Sequence, residues 1–361
     1  MPFKSVQVYN YRNLHDSVIN CDAHQVFLIG ENGQGKTNFL ESIYMLCYGS
    51  SFRTRKDREI IRIGQQSMSV RGESVSRGKN TVLIRFEDGR KTIYLNEKSV
   101  SDRKELIEQL PCIVFNHEDI DFVSGAPERR RWFFNQTMSL YDPLFIDLLR
   151  RYTKIIKMRN TTIKNSRADL LDVYDEQAAS AGIEIQQRRS EAILQFNHTF
   201  SRIFREISSL EEDIVITYRP SWRNVGTVDE VVQGLRKRRK SDFAFKTTTS
   251  GPHRDRIYFA SGGHDFSRIA STGQRRLMSL VLRVAQAKFF SERTGREPLL
   301  LLDDVLLELD AAKRRRFVSM LPQYEQAFFT FLPDEPYEKY VCGSTKIYEV
   351  ENGSLIEKVV L

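Results

Sequence analysis

The chain has 361 residues, 40% of them hydrophobic, with four cysteines and a formal net charge of +8. That length holds one large domain with an insertion, or two domains, and the positive balance suits an anionic partner such as nucleic acid. Cys21, Cys47, Cys112 and Cys342 show no Cys-x-x-Cys spacing and the histidines are isolated, which argues against a disulfide frame or a zinc site and for free thiols in a reducing compartment. No apolar run approaches membrane-spanning length, and MPFKSVQVYNYRNL lacks an apolar signal core, so the expectation is a soluble, cytoplasmic protein with no membrane partner.

Taken in order, KSVQVYNY and QVFLIG read as strands and TNFLESIYMLCYG as a helix. MSVRGESV, NTVLIRFE and KTIYLN alternate between apolar and polar residues, with charged or glycine turns such as EDGR between them, and predict an antiparallel sheet. From about Glu128 the period becomes helical. Asp142-Pro143 is a helix start, a cap residue followed by a first-turn proline. Leu144, Leu148, Ile155 and Ile156 then recur at helical spacing, as do Ile193, Phe196, Phe200, Ile203, Phe204 and Ile207. The chain therefore divides into an N-terminal lobe, 1–123, a helical lid, 124–208, and a C-terminal lobe, 209–361. In that last lobe DIVITY reads as a strand and EPLLLLDDV as a fully buried parallel strand, followed by helix AAKRRRFVSML and strand QAFFTF.

Gly30-Glu31-Asn32-Gly33-Gln34-Gly35-Lys36-Thr37 matches G-x-x-x-x-G-K-[ST] in full, between an apolar strand and a helix. Glycines let backbone N–H groups wrap phosphates, and the helix N-terminus adds partial positive charge. Lys36 is expected to act on the β- and γ-phosphates of ATP, Thr37 to ligate Mg²⁺, and Asn38 to border the site. Asp303 and Asp304 end the strand PLLLL, where a carboxylate beside a P-loop holds Mg²⁺. Asp303 is assigned to the metal, and Asp304 to the attacking water as base or positioner.

Ser271-Thr272-Gly273-Gln274 opens a long apolar helix. As a tetrapeptide it reads as an N-cap. In the order P-loop, helical insertion, Ser-x-Gly-Gln, strand with paired acids, it matches the ABC-type ATPase heads, whose signature closes over the γ-phosphate held by a second subunit. Ser271, Gly273 and Gln274 then become nucleotide-binding residues completed in trans.

NYRNL, GENGQGKTNFLESIYML, SFRTRKDREIIR, the stretch from Glu118 to Arg131, TTTSGPHRD, STGQRR and PLLLLDDVLLELD together resemble the RecF family of bacterial DNA repair ATPases, related to SMC proteins. The resemblance runs from end to end. It implies an α/β fold: an ABC-type P-loop ATPase head with an inserted helical lid subdomain. It also implies ATP-dependent homodimerisation, slow DNA-stimulated ATP hydrolysis, and binding of double-stranded and gapped DNA. Partnership with RecR, and with RecO in loading RecA at single-strand gaps, belongs to the same inference. The insertion is far too short for SMC coiled-coil arms. Where the family usually reads Phe-Ser-Pro-Glu-Asp this chain has Phe115-Asn116-His117-Glu118-Asp119, which leaves Asn116 as the stand-in for a glutamine switch. Asn135 stands where an aspartate is usual, and Thr330 falls where transporters carry a switch histidine.

Arg53, Arg55, Lys56 and Arg58 crowd the segment after the P-loop helix and are candidate DNA contacts, as is the run Arg236–Lys240; for the run a solvated helix face is an equal reading. Arg129, Arg130 and Arg131 start a helix and are candidates to pair with acidic neighbours, and His253 reads as structural. Two other functions share parts of this pattern. A transporter's nucleotide-binding subunit would carry Leu-Ser-Gly-Gly-Gln and a switch histidine, and a small-molecule P-loop kinase would need no STGQ.

Overall fold

The computed structural model describes residues 3–75, 80–208, 213–306 and 309–358. Leu307 and Glu308, in the segment that follows the paired acids, lie outside the described residues. The chain divides into two units, Met1–Glu118 with Phe290–Leu361, and Asp119–Phe289.

Two six-stranded sheets build the first unit. One is antiparallel, in the order Ser17–Asn20, Phe3–Tyr9, Met68–Ser74, Asn80–Glu87, Arg90–Leu95, Lys98–Ser99. Its strands alternate: in Met68–Ser74 every second residue is buried, as expected for a sheet with one covered face. The other sheet runs Ser354–Lys358, Thr345–Glu351, Gln25–Ile29, Gln326–Phe331, Leu299–Leu302, Cys112–Phe115. All its pairings are parallel except that of the edge strand Ser354–Lys358. Strands buried on both faces read as unbroken apolar runs. In Leu299–Leu302 no leucine exceeds 2% exposure, and each such side chain contributes about 1.5–3 kcal/mol.

Strand order places the site. In parallel α/β sheets ligands gather beyond the C-terminal strand ends. Here the P-loop follows Ile29, Asp303 and Asp304 follow Leu302, and Asn116 follows Phe115. Gln326–Phe331 lies between the P-loop strand and the acid-bearing strand, so Thr330, near its end, falls between the two.

The second unit holds helices Pro127–Tyr141, Pro143–Lys164, Leu171–Ser208 and Val228–Phe245, with an antiparallel sheet of Val215–Arg219, Arg256–Ser261 and His264–Asp265. Asp142 caps its helix by accepting from the Phe145 N–H, with Pro143 in the first turn. Ile193, Phe196, Phe200, Ile203, Phe204 and Ile207 are all buried, as their spacing predicts. Leu144 is 68% exposed instead; the buried stripe starts one residue later, at Phe145.

The unit also runs on past residue 208. Asn197 on the long helix pairs through both amide atoms with the backbone of Ile216, and Val231, Val232 and Leu235 pack with Ala179. These contacts draw strand, helix and strand from 215 to 261 into the helical segment. Buried charges tie the same elements together. Arg159, fully buried, donates to Asp175, Asp242 and Thr248. Asp255, also fully buried, accepts from Arg189, Gln186 and the Ser221 N–H, and from the Tyr218 hydroxyl. Both charges are met by opposite charges, although one terminal nitrogen of Arg159 is buried without a partner; removing one partner leaves an uncompensated ion at a cost of about 3–5 kcal/mol.

Candidate nucleotide site

The P-loop leaves Ile29 and enters helix Lys36–Tyr48 through Gly35. Gly33 and Gly35 sit at φ of 82° and 122°, where a side chain is strained. A Cβ on Gly30 would stand 2.3 Å from the Val350 carbonyl oxygen, so the strand beside it also demands glycine. No side chain caps the N-terminus of this helix and its first turn carries no acid, so the orphan amides and the dipole are left for an anion.

Neighbouring segments brace the loop. Asn13 donates to the Gly33 carbonyl and accepts from Asn38, which in turn accepts from Arg53. On the other side the Asn352 N–H donates to the Gln34 side chain and the Gly353 N–H to the Gln34 carbonyl. Glu31 and Asn32 are exposed at the rim.

Lys36 is 3% exposed, and its ammonium donates to the Gly30 carbonyl at 2.5 Å and the Glu31 carbonyl at 3.3 Å. The Thr37 hydroxyl donates to Asp303 at 2.8 Å. Burial, and then the charge of Asp304, push the Asp303 carboxyl up to about 6, against the lowering pull of Thr37, Arg53 and Lys36. A buried carboxylate and a hydroxyl in contact are the donors a hard divalent cation takes, and a positive ion would reverse the upward shift. Among the described residues no cluster of three or more His, Cys, Asp or Glu could hold a metal by itself.

Asp304 takes φ 51°, an uncommon conformation outside glycine. Its N–H donates to the Thr330 hydroxyl, which donates back to the Asp304 carboxylate, both at 2.7 Å. Thr330 is thus engaged by an acid, and Asn116 is buried beyond the next strand end.

Ser271, Gly273 and Gln274 belong to the other unit. Ser271 accepts from the Gln274 N–H at 3.2 Å while the Gln274 side chain accepts from the Ser271 N–H at 2.8 Å, a reciprocal capping box. Ser271 and Gly273 are exposed, with open space beside Gly273.

Among the basic candidates, Arg53 reaches Asn38 and lies 3.7 Å from Glu41, beside the P-loop helix. Arg55, Lys56 and Arg58 are exposed, Lys56 in a 3.3 Å pair with Glu59. In Arg236–Lys240, Arg236 and Arg239 are taken up by Asp172 and Asp175. Arg129 pairs with Asp121 and Arg131 with Glu128, while Arg130 donates to the Val123 carbonyl. Asn135 accepts from Arg189. His253 bonds the Tyr152 hydroxyl and the Thr248 carbonyl and is pushed down to about 4, mainly by burial.

Sequence reasoning missed two acids. Glu41, fully buried in the P-loop helix, holds Arg12 through two 2.9 Å bonds and accepts from Ser51. Its signal was a lone charge inside the apolar run FLESIYML. Glu335 accepts from the Leu332 N–H and is raised chiefly by burial, and also by the Asp304 charge; nothing local in DEPYE marked it.

Fold and site define an ABC-type P-loop ATPase head with an inserted helical unit. The model of the RecF/RecN/SMC N-terminal domain family matches residues 2–354. DNA replication and repair protein RecF of Treponema pallidum (strain Nichols) is 45% identical over 96% of this chain and 99% of its own. A solved structure of the recombination mediator protein RecF-ATP in the RecFOR pathway superposes with a TM-score of 0.90 at 27% identity, over 99% of this chain and 98% of that one. An Smc head bound to the C-winged helix domain of ScpA shares the fold, with a TM-score of 0.60 at 14% identity over 99% and 98% of the two chains. The chain belongs to the RecF family of DNA replication and repair proteins. Among the described residues no helix is long and apolar enough to cross a membrane.

Proposed function

We propose that this protein binds ATP with Mg²⁺, hydrolyses it slowly under stimulation by DNA, and works in the cytoplasm as an ATP-switched dimer on double-stranded and gapped DNA. Its partners in this reading are RecR and RecO, and its outcome is RecA loading. The observation that carries it is the uncapped P-loop helix with Thr37 and Asp303 in contact at the ends of parallel strands, in a chain of this family. Bound Mg²⁺–ATP supplies the phosphoanhydride and the charge that polarises it. Gly30 to Gly35 wrap the phosphates with backbone amides, and Lys36 supplies a buried ammonium. Thr37 and Asp303 present oxygens to the metal. Asp304, held by its two hydrogen bonds with Thr330, would accept the proton of the attacking water or position it. Ser271, Gly273 and Gln274 offer donors from an exposed helix start to a second copy's nucleotide. Arg55, Lys56 and Arg58 present exposed charge to DNA.

The test is ATPase activity with and without gapped duplex DNA. Turnover that rises with DNA and vanishes in Lys36→Ala supports the reading. Hydrolysis retained in Lys36→Ala removes the nucleotide assignment, and turnover indifferent to DNA removes the DNA assignment.

A further inference from the structure

The second unit carries a basic hollow to which the basic run Arg236–Lys240 contributes only Arg238. Arg219, Arg223, Arg238, Arg254 and Arg256 line a cavity of about 690 Å³ with Pro220, Ser221 and Thr249, and no acidic side chain lines it. Arg219, Arg223 and Arg256 also line an adjoining cavity of about 480 Å³, with Arg130, Arg268 and one acid, Asp265, whose carboxylate accepts from the Ser267 N–H. The two hollows therefore form one track, longer than a single phosphate needs.

These arginines are not spent on the fold. All five are exposed, and among the described residues none forms an ion pair. Of the five guanidiniums, only that of Arg254 hydrogen-bonds among the described residues, through two long 3.4 Å contacts to the Thr248 carbonyl. Arg219 stacks its guanidinium 4.6 Å from the Tyr258 ring centre, which fixes the fork without neutralising it. Asp255 sits next in sequence to Arg254 and Arg256, but it is fully buried and its charge is met by Arg189. Arg219 and Arg256 are direct cross-strand partners. Like charges placed opposite each other destabilise a sheet, so this pair makes sense when an anion lies over it.

We infer that this track binds the phosphodiester backbone of nucleic acid, each guanidinium fork meeting phosphate oxygens without reading sequence. An acidic protein segment fits less well. Peptide sites rely on buried apolar anchors; the larger hollow offers only Pro220, and the adjoining one Pro127, a fully packed Ile257 and Tyr258, whose ring already holds the Arg219 guanidinium. The inference rests on the DNA-binding reading above and gives it a place on the second unit.

The experiment titrates full-length protein with ATP against a labelled random-sequence duplex and a single strand of equal length, from about 50 to about 200 mM salt. Four contacts at a slope of about 0.9 each correspond to about a hundredfold difference in how far affinity falls over that range. Arg219→Ala/Arg223→Ala/Arg238→Ala/Arg256→Ala is expected to lose that much of the salt response, and to bind more weakly at the low-salt end. The same four positions changed to Lys are expected to keep the slope. Arg223→Ala/Arg238→Ala removes two exposed, unpaired side chains, so folding is not at stake; about a tenfold change is expected. Arg90→Ala/Lys98→Ala/Lys339→Ala/Lys358→Ala removes equal charge elsewhere and is expected to keep most of the salt response. If the parent binds DNA but the track variants match its affinity and slope, the inference falls and the DNA-binding reading stands. The inference falls equally if the track variants have lost only binding to a poly-glutamate peptide, or if the charge-matched control falls as far as they do. If the parent itself binds no DNA, both fall.

Discussion

Asp303→Asn should stabilise the nucleotide-free protein at pH 7.5 while abolishing its stabilisation by Mg²⁺ with ATP. The folded carboxyl sits at about 6 against an ordinary value of 3.8, driven first by burial and then by the Asp304 charge. Below 3.8 the group is protonated in both the folded and unfolded states. Between 3.8 and 6 the folded state holds the extra proton, so stability falls as pH rises through that window. The shift of roughly two units, at 1.36 kcal/mol each, is about 3 kcal/mol of destabilisation in place at neutral pH. Asparagine keeps an oxygen to accept from Thr37 and removes the charge, so the variant gains up to about 3 kcal/mol, or several degrees in Tm. At pH 4 that gain should shrink towards zero. Thermal melts of parent and variant at both pH values, with and without Mg²⁺ and ATP, read all of this. The argument fails if the variant melts below the parent at pH 7.5, or if the difference between them ignores pH.

His253 should show the opposite slope. With its folded value near 4, it contributes stability that is complete above pH 6.5 and fades as pH drops towards 4; an imidazole NMR titration should find no charging between pH 5 and 8. Arg12→Ala strips the Glu41 carboxylate of its two-bond partner while Ser51 and Arg53 remain, so a loss of about 2–3 kcal/mol in urea denaturation is expected, below the figure for a wholly buried pair. Ser271→Ala removes a helix cap and should lower stability by about 1 kcal/mol. Ser271→Arg should leave nucleotide binding by the monomer intact yet abolish ATP-dependent dimerisation, read by analytical ultracentrifugation; dimerisation at the parental level would reduce STGQ to a cap.

Much of the fold was legible because its signals are local. GENGQGKT fixes a loop by glycine spacing, LLLLDD marks a strand buried on both faces, and Phe196, Phe200 and Ile203 repeat at the helical period. Partnership between distant segments was not legible. DIVITY reads as a strand of the C-terminal lobe, yet the Asn197 amide ties Val215–Arg219 to the long helix, and Arg256–Ser261, for which the sequence carried no reading, pairs with that strand. Charge misled for the same reason. RKRRK is conspicuous in the sequence, yet Arg236 and Arg239 are consumed by Asp172 and Asp175, and only Arg238 of the five lines the hollow. The other arginines there come from positions scattered between 219 and 256, a grouping made by folding alone.

The strand leading into the P-loop, Gln25–Ile29, has Gln326–Phe331 on one side and Thr345–Glu351 on the other. Both neighbours leave the ribosome some three hundred residues after it. At about 5–20 residues per second the strand waits roughly 15–60 s with neither hydrogen-bonding edge paired. Asp119–Phe289, contiguous in the chain, can fold during that interval. A nucleotide site therefore cannot exist on the nascent protein until its last strands emerge, and a chain stalled before residue 326 carries a finished second unit beside an open apolar strand.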